Sequence, residues 1–246
     1  MPLPNSLALD SDPGSERKPI LCYVTDRRSL AASRQPDLIE ALLEKIELAA
    51  AAGVDWIQIR EKDLSGKQSH LLVEKALDRV LRLPSHRQAA AGKPPRILVN
   101  DRLDVALAAR ARGLHLGENS MPAREAKRLL LSSPAAAAFA HEFILGVSCH
   151  SLEAAKAAAS SGANYIFFGP VFATPSKAAY GSPQGLDHLA AVCSSVEIPV
   201  LAIGGITPGN ASSCLSAGAS GIAAIRLFQD SADPRSIVRA IRPKNS

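Results

Sequence analysis

The chain has 246 residues, with 28 Lys and Arg against 23 Asp and Glu (a net charge of +5), and is 47% hydrophobic but only 4% aromatic. That length can bury a full core and matches single-domain α/β barrels, and abundant Ala with few aromatics argues against a β-sandwich. The basic residues are scattered through helical segments without aromatic interleaving, which argues against nucleic acid as a partner. Cys22, Cys149, Cys193 and Cys214 are widely spaced and suggest neither a disulfide framework nor a thiolate zinc site. No stretch reaches transmembrane length, and the start MPLPNSLALDSDPGSERK lacks the apolar core of a signal peptide. The expected location is therefore cytoplasmic, with no membrane partner.

In chain order, residues 1–18 read as a disordered Pro/Ser-rich leader, and 19–246 as one domain. A strand over Ile20–Thr25 precedes a helix over Pro36–Ala52. A strand over Val54–Arg60 precedes a helix from about Lys67 to Leu83. Ile97–Asn100 and Gly113–Leu116 are the next strands, with a short helix over Leu103–Arg110 between them. Pro122 suits the first turn of a helix ending near Leu131. Phe143–Val147, Asn164–Phe168, Pro199–Ile203 and Gly221–Ile225 complete the strands. Their helices follow over Ser151–Ser160, Leu186–Cys193, Asn210–Ala217 and Pro234–Ala240. Ser85–Pro95 and the Ala-rich Ser132–Ala140 look like insertions or slack. Eight strand–helix units in a chain of this size predict an α/β fold, the (β/α)₈ TIM barrel.

In such a barrel the site forms at the C-terminal strand ends, where this sequence repeatedly turns polar. In VDWIQIREKD, Ile57 and Ile59 alternate with Gln58, Arg60 and Lys62. Arg60 could grip phosphate oxygens as a fork, with Lys62 a mobile charge beside it; a solvated strand end is the plainer reading. After strand three, Asn100 could bond a phosphate oxygen and Asp101 could hold a magnesium ion, or the pair could cap the next helix. His115 sits between Leu114 and Leu116, as readily packed as catalytic. After strand five, Ser148 could bond phosphate and His150 could shuttle protons, unless the turn merely caps its helix. The loop GPVFATPSKAAYG carries Thr174, Ser176 and Lys177, donors suited to phosphate on a loop that could close as a lid. Gly204-Gly205 and the strand end at Arg226 suggest a second anion site built largely from backbone N–H groups.

Taken together, YVTD, VDWIQIREKDLSG, VNDRLDVAL, GLHLGE, ILGVSCHS, ANYIFFGPVFATPSK and PVLAIGGITPGN, followed by AGASGIAAIRLF, resemble the thiamine-phosphate synthase family, which includes TenI-like thiazole tautomerases. The resemblance implies a barrel that couples hydroxymethylpyrimidine pyrophosphate to a thiazole phosphate with magnesium present. Pyrophosphate leaves first, and the thiazole nitrogen captures the pyrimidine methyl cation. By motif, Gln58, Arg60, Lys62, Asn100 and Lys177 would hold the pyrimidine pyrophosphate, Ser148 would lie near it, and Asp101 would bind magnesium. Thr174, Ser176, Gly205, Ile225 and Arg226 would surround the thiazole phosphate. Residues that bind pyrophosphate would also be catalytic, since neutralising a leaving group is most of the task.

The chain departs from the family pattern in places. Synthases usually read H-x-G-Q-x-D after strand four, the last Asp being a second magnesium ligand; here HLGENS leaves Ser120 there and Glu118 in place of Gln. Glu118 or a water would then have to complete the metal. Arg226 replaces a small hydroxyl residue, and Arg112 stands where ADG is usual. A tautomerase would need a proton-moving histidine after strand five, here His150. Such proteins often lose the Asn-Asp pair and part of the basic motif, and this chain keeps both. The synthase is therefore the first expectation, with the tautomerase and a non-catalytic phosphometabolite-binding protein as alternatives. Helix surface suffices for a homodimer, but no stripe identifies one.

Overall fold

The computed structural model describes residues 18–30, 37–83, 94–174 and 182–242. Eight parallel strands close into a barrel in sequence order: β1 (Ile20–Val24), β2 (Trp56–Ile59), β3 (Arg96–Asn100), β4 (Gly113–Leu116), β5 (Ile144–Cys149), β6 (Tyr165–Phe168), β7 (Val200–Ile203) and β8 (Gly221–Ala224). Cys22 pairs with both Trp56 and Ala223, so β1 closes the ring between β2 and β8. The expected TIM barrel is the fold observed.

The helices are α1 (Leu38–Ala52), α2 (Gly66–Leu81), α3 (Leu103–Ala108), α4 (Ala123–Ser132), α5 (Leu152–Ser160), α6 (Gly185–Ser195), α7 (Ala211–Ser216), α8 (Arg226–Gln229) and α9 (Pro234–Ile241). Local chemistry sets their ends. Asp37 accepts from Ile39 N at 2.8 Å to start α1, and Gly53, at φ 99°, ends it. Ser65 and Gln68 form a reciprocal capping box on α2. None of the helices among the described residues is long and apolar enough to cross a membrane.

Strand alternation divides the core in two. Leu21, Ile57, Val99, Leu114, Ile166 and Ile222 face the helices. Ile20, Cys22, Trp56, Leu98, Tyr165, Phe167 and Leu201 fill the barrel. Inside, the Trp56 and Tyr165 rings lie 4.7 Å apart and those of Tyr165 and Phe167 5.3 Å apart. Such aromatic pairs add about 0.5–1.5 kcal/mol each beyond the area they bury. Gly146 makes room for this cluster, because a Cβ there would lie 2.0 Å from the Tyr165 ring. The upper barrel thus rests on a packed aromatic floor.

At the opposite end, Arg242 closes the bottom. It donates to Pro19 O at 2.7 Å and Gly53 O at 3.1 Å and pairs with Asp55, whose carboxylate also accepts from Leu21 N at 2.7 Å.

Two points depart from expectation. The Ala-rich 132–140 stretch is not slack: Pro134–Ala136 and Ala140–Glu142 form 3₁₀ turns, with Ala136 and Phe139 buried. The eighth strand forms as expected, over Gly221–Ala224, but an unforeseen short helix, α8, starts at Arg226 before the expected last helix α9. Most of the leader and of 85–95 lies outside the described residues.

Candidate active site

Gln58, the last inward residue of β2, is buried and donates from Nε2 to Asn100 Oδ1 at 2.9 Å. This links the ends of β2 and β3 by side chains. The capping alternative for Asn100-Asp101 is overturned, because the cap position of α3 is Arg102 and no side chain bonds there. Asp101 takes the left-handed conformation at φ 65°, with its N–H on His115 O at 2.9 Å. Its side chain is exposed beside the mouth. For a residue other than glycine this geometry costs about 1 kcal/mol and concentrates at functional sites.

His115 is buried and its ring stacks 4.2 Å from Phe167. Its Nδ1 lies 3.0 Å from the Tyr165 hydroxyl and its Nε2 2.9 Å from Ser148 Oγ. Burial first, and the Arg60 charge second, push its pKa down to about 3, so the ring is neutral at physiological pH. The capping reading of this turn holds for Ser151, which caps α5 by accepting from Ala154 N at 3.1 Å, while Ser148 faces the His115 ring.

Arg60 and Lys62 follow β2 on either side of Glu61, Arg60 half-buried and Lys62 exposed. Glu61, which the sequence reading passed over, organises this corner. Its nearly buried carboxylate accepts from Thr25 Oγ1 at 2.7 Å, Arg27 N at 3.1 Å and the Arg27 guanidinium at 3.1 Å. Thr25 Oγ1 accepts in turn from Arg60 N at 2.9 Å. Desolvation raises the Glu61 pKa, opposed by these donors. The Arg27 fork closes on Asp63 at 2.6 and 2.7 Å and holds that carboxyl well below the usual range. An acid between two bases at a strand end was the signal in the sequence.

The β6–β8 side is built differently. Val171 N and Phe172 N donate to Ile203 O and Gly204 O at 2.9 and 3.0 Å, so the chain after β6 continues along β7. Gly204 and Gly205 have φ of 96° and 67°, and a Cβ on Gly204 would lie 2.5 Å from Pro170. Both positions require glycine. Asn210 fixes the turn beyond them, donating to Gly205 O at 3.0 Å and accepting from Thr207 N at 2.8 Å. Ile225 is half-buried above β8, and Arg226 is exposed as the first residue of α8. Thr174 is half-buried at the edge of this region. Ser176 and Lys177 lie outside the described residues.

His150 follows β5 and is half-buried, with Nδ1 hydrogen-bonded to Gly169 O and Nε2 3.9 Å from Glu118. Ser120 Oγ accepts from Gly117 N at 2.8 Å, inside a turn closed by Ser120 N on Gly117 O at 3.2 Å. It serves as a loop brace. Among the described residues there is no cluster of three His, Cys, Asp or Glu fit for a metal. A lone exposed carboxylate at Asp101 nonetheless suits magnesium, which keeps several waters and shares the oxygens of phosphate ligands.

Residues 22–228 match the thiamine monophosphate synthase family. The chain belongs to that family. Among its relatives is the thiamine-phosphate synthase of Roseiflexus castenholzii, 39% identical over 90% of this chain and 86% of that protein. The thiamine-phosphate synthase of Moorella thermoacetica is 40% identical over 81% and 86%. The solved thiamine phosphate pyrophosphorylase of Pyrococcus furiosus superposes with a TM-score of 0.71 at 31% identity, covering 92% of this chain and 95% of that one. The expectation of a thiamine-phosphate synthase, a transferase, is borne out at this level.

Proposed function

We propose that this member of the family joins a hydroxymethylpyrimidine pyrophosphate to a thiazole phosphate and releases pyrophosphate. The observation that carries the reading is the set of side chains at the ends of β2, β3 and β5. Arg60, Asn100, Asp101 and Ser148 occupy inward or mouth positions, braced by Gln58, Glu61 and His115. A proton-transfer enzyme needs no such concentration of anion-binding groups.

The step breaks the bond between the pyrimidine methylene carbon and the pyrophosphate oxygen, whose electron pair departs with the leaving group. The thiazole nitrogen then supplies the pair for the new carbon–nitrogen bond. Arg60 and Lys62 neutralise charge gathering on the leaving oxygens, and Ser148 donates to one of them. Asp101, with Asn100 beside it, would hold magnesium, which supplies further charge neutralisation when bound. Ser176 and Lys177 would add donors from the β6 loop, and Thr174, Gly205, Ile225 and Arg226 would seat the thiazole phosphate. His150 keeps a supporting place at the mouth. The setting proposed is cytoplasmic.

The test is a coupled assay with both substrates and magnesium, following thiamine phosphate and pyrophosphate together. Equal formation of both, lost on chelation and cut at least about 100-fold in Asp101→Ala, is the expected result. A folded protein that binds thiazole phosphate yet yields neither product would rule the synthase out and point to His150-dependent tautomerisation.

A further inference from the structure

We infer that Tyr165 is a positioning residue that acts through His115 to turn the Ser148 hydroxyl hydrogen toward the mouth of the barrel, making Ser148 a dedicated donor to anions. The inference rests on the proposed function only for the identity of the anion.

The three groups form one chain, from the Tyr165 hydroxyl to His115 Nδ1 at 3.0 Å and from Nε2 to Ser148 Oγ at 2.9 Å. A neutral imidazole carries a single N–H, so the chain can run in only two directions. If Nδ1 held the hydrogen, Tyr165 would accept it and its own hydrogen would be left over. Tyr165 is fully buried, and among the described residues its oxygen bonds only His115. An unpaired buried donor is strongly disfavoured. In the other direction every group is satisfied. Tyr165 donates to Nδ1, Nε2–H donates to Ser148 Oγ, and the serine hydrogen remains to be given away. Ser148 is half-buried at the end of β5, so that hydrogen faces the mouth.

The relay cannot easily shift, since Gly146 leaves the ring no spare volume and Trp56 and Phe167 pack against it. Phosphate oxygens only accept, and a preset donor meets them without reorganisation at the moment of binding.

Long-range proton–nitrogen NMR of His115 in the substrate-free protein tests the direction directly. A hydrogen on Nε2 and none on Nδ1 is expected; the reverse overturns the inference. The second test is a cycle of Tyr165→Phe, Ser148→Ala and the double variant, read as affinity for inorganic pyrophosphate. Tyr165→Phe keeps the packed ring and should weaken binding about 5- to 10-fold. In the Ser148→Ala background it should add nothing, because its effect passes through that hydroxyl. Losses that multiply independently, or no loss in Tyr165→Phe, overturn the relay. Neither test requires turnover, so a protein inactive as a synthase that passes both would refute the activity and leave the relay standing.

Discussion

The two halves of the barrel mouth use opposite means. From β2 to β5 the polar atoms belong to side chains that hold one another: Gln58 to Asn100, His115 to Ser148, Glu61 to Thr25 and Arg27. From β6 to β8 the shape comes from main chain, with Gly204 and Gly205 folded against Pro170–Ala173. Side chains at the ends of rigid strands can place charge and a carboxylate at fixed positions. A glycine-walled backbone offers neutral N–H groups and little room for anything else. The first arrangement suits a highly charged leaving group, and the second a monophosphate that is held but does not react.

The largest effect should come from removing charge on the side-chain half. Arg60→Ala is expected to lower kcat/KM for the pyrimidine substrate about 10³-fold while leaving the KM for thiazole phosphate within about 2-fold. Equal losses toward both substrates would erase the division. Next, Gly204→Ala forces a Cβ into the left-handed region and onto Pro170, and should cost about 2 kcal/mol in urea unfolding. It should raise the KM for thiazole phosphate about 10-fold and spare the pyrimidine substrate.

The side-chain half should also show a pH signature. The unfolded imidazole of His115 takes up a proton below its ordinary pKa of 6.5, whereas the folded one resists until about 3. In that window the unfolded state binds more protons, so stability falls as pH falls, by at most about 1.4 kcal/mol per unit from this one group. His115→Gln should flatten the slope between about pH 6 and 4, as followed by chemical unfolding at each pH. The smallest effect is a gain. Ser120→Asp supplies a carboxylate where family members usually carry one, and should lower the magnesium needed for half-maximal rate about 3-fold.

The sequence made the barrel plain because each strand is a short apolar run that turns polar at its C-terminal end. Gln58, Arg60, Asn100, Asp101 and Ser148 stood out as candidates because a polar side chain at an inward or terminal strand position breaks the apolar pattern of the strands. Two kinds of information stayed hidden. Glu61 looked like one charge among several, and its clamp on Thr25 and Arg27 exists only once β1 and β2 lie side by side. Tyr165 reads as an ordinary strand aromatic, and its link to His115 spans two strand neighbours, β5 lying between them. Helix α8 escaped notice because four residues carry no period, and no side chain caps its start. The role of Ser120 as a loop brace likewise depends on a turn geometry that spacing alone does not report.

The Arg242 latch at the bottom of the barrel bears on how the chain could be rewired. It brings residue 242 into direct hydrogen-bond contact with residue 19, on the face away from the mouth. β1 and β8 are already paired, so the ring has no structural first strand. A short peptide could join these two positions and the chain be opened instead at a loop on the bottom face. The resulting circular permutant would present the same mouth residues from a different covalent order.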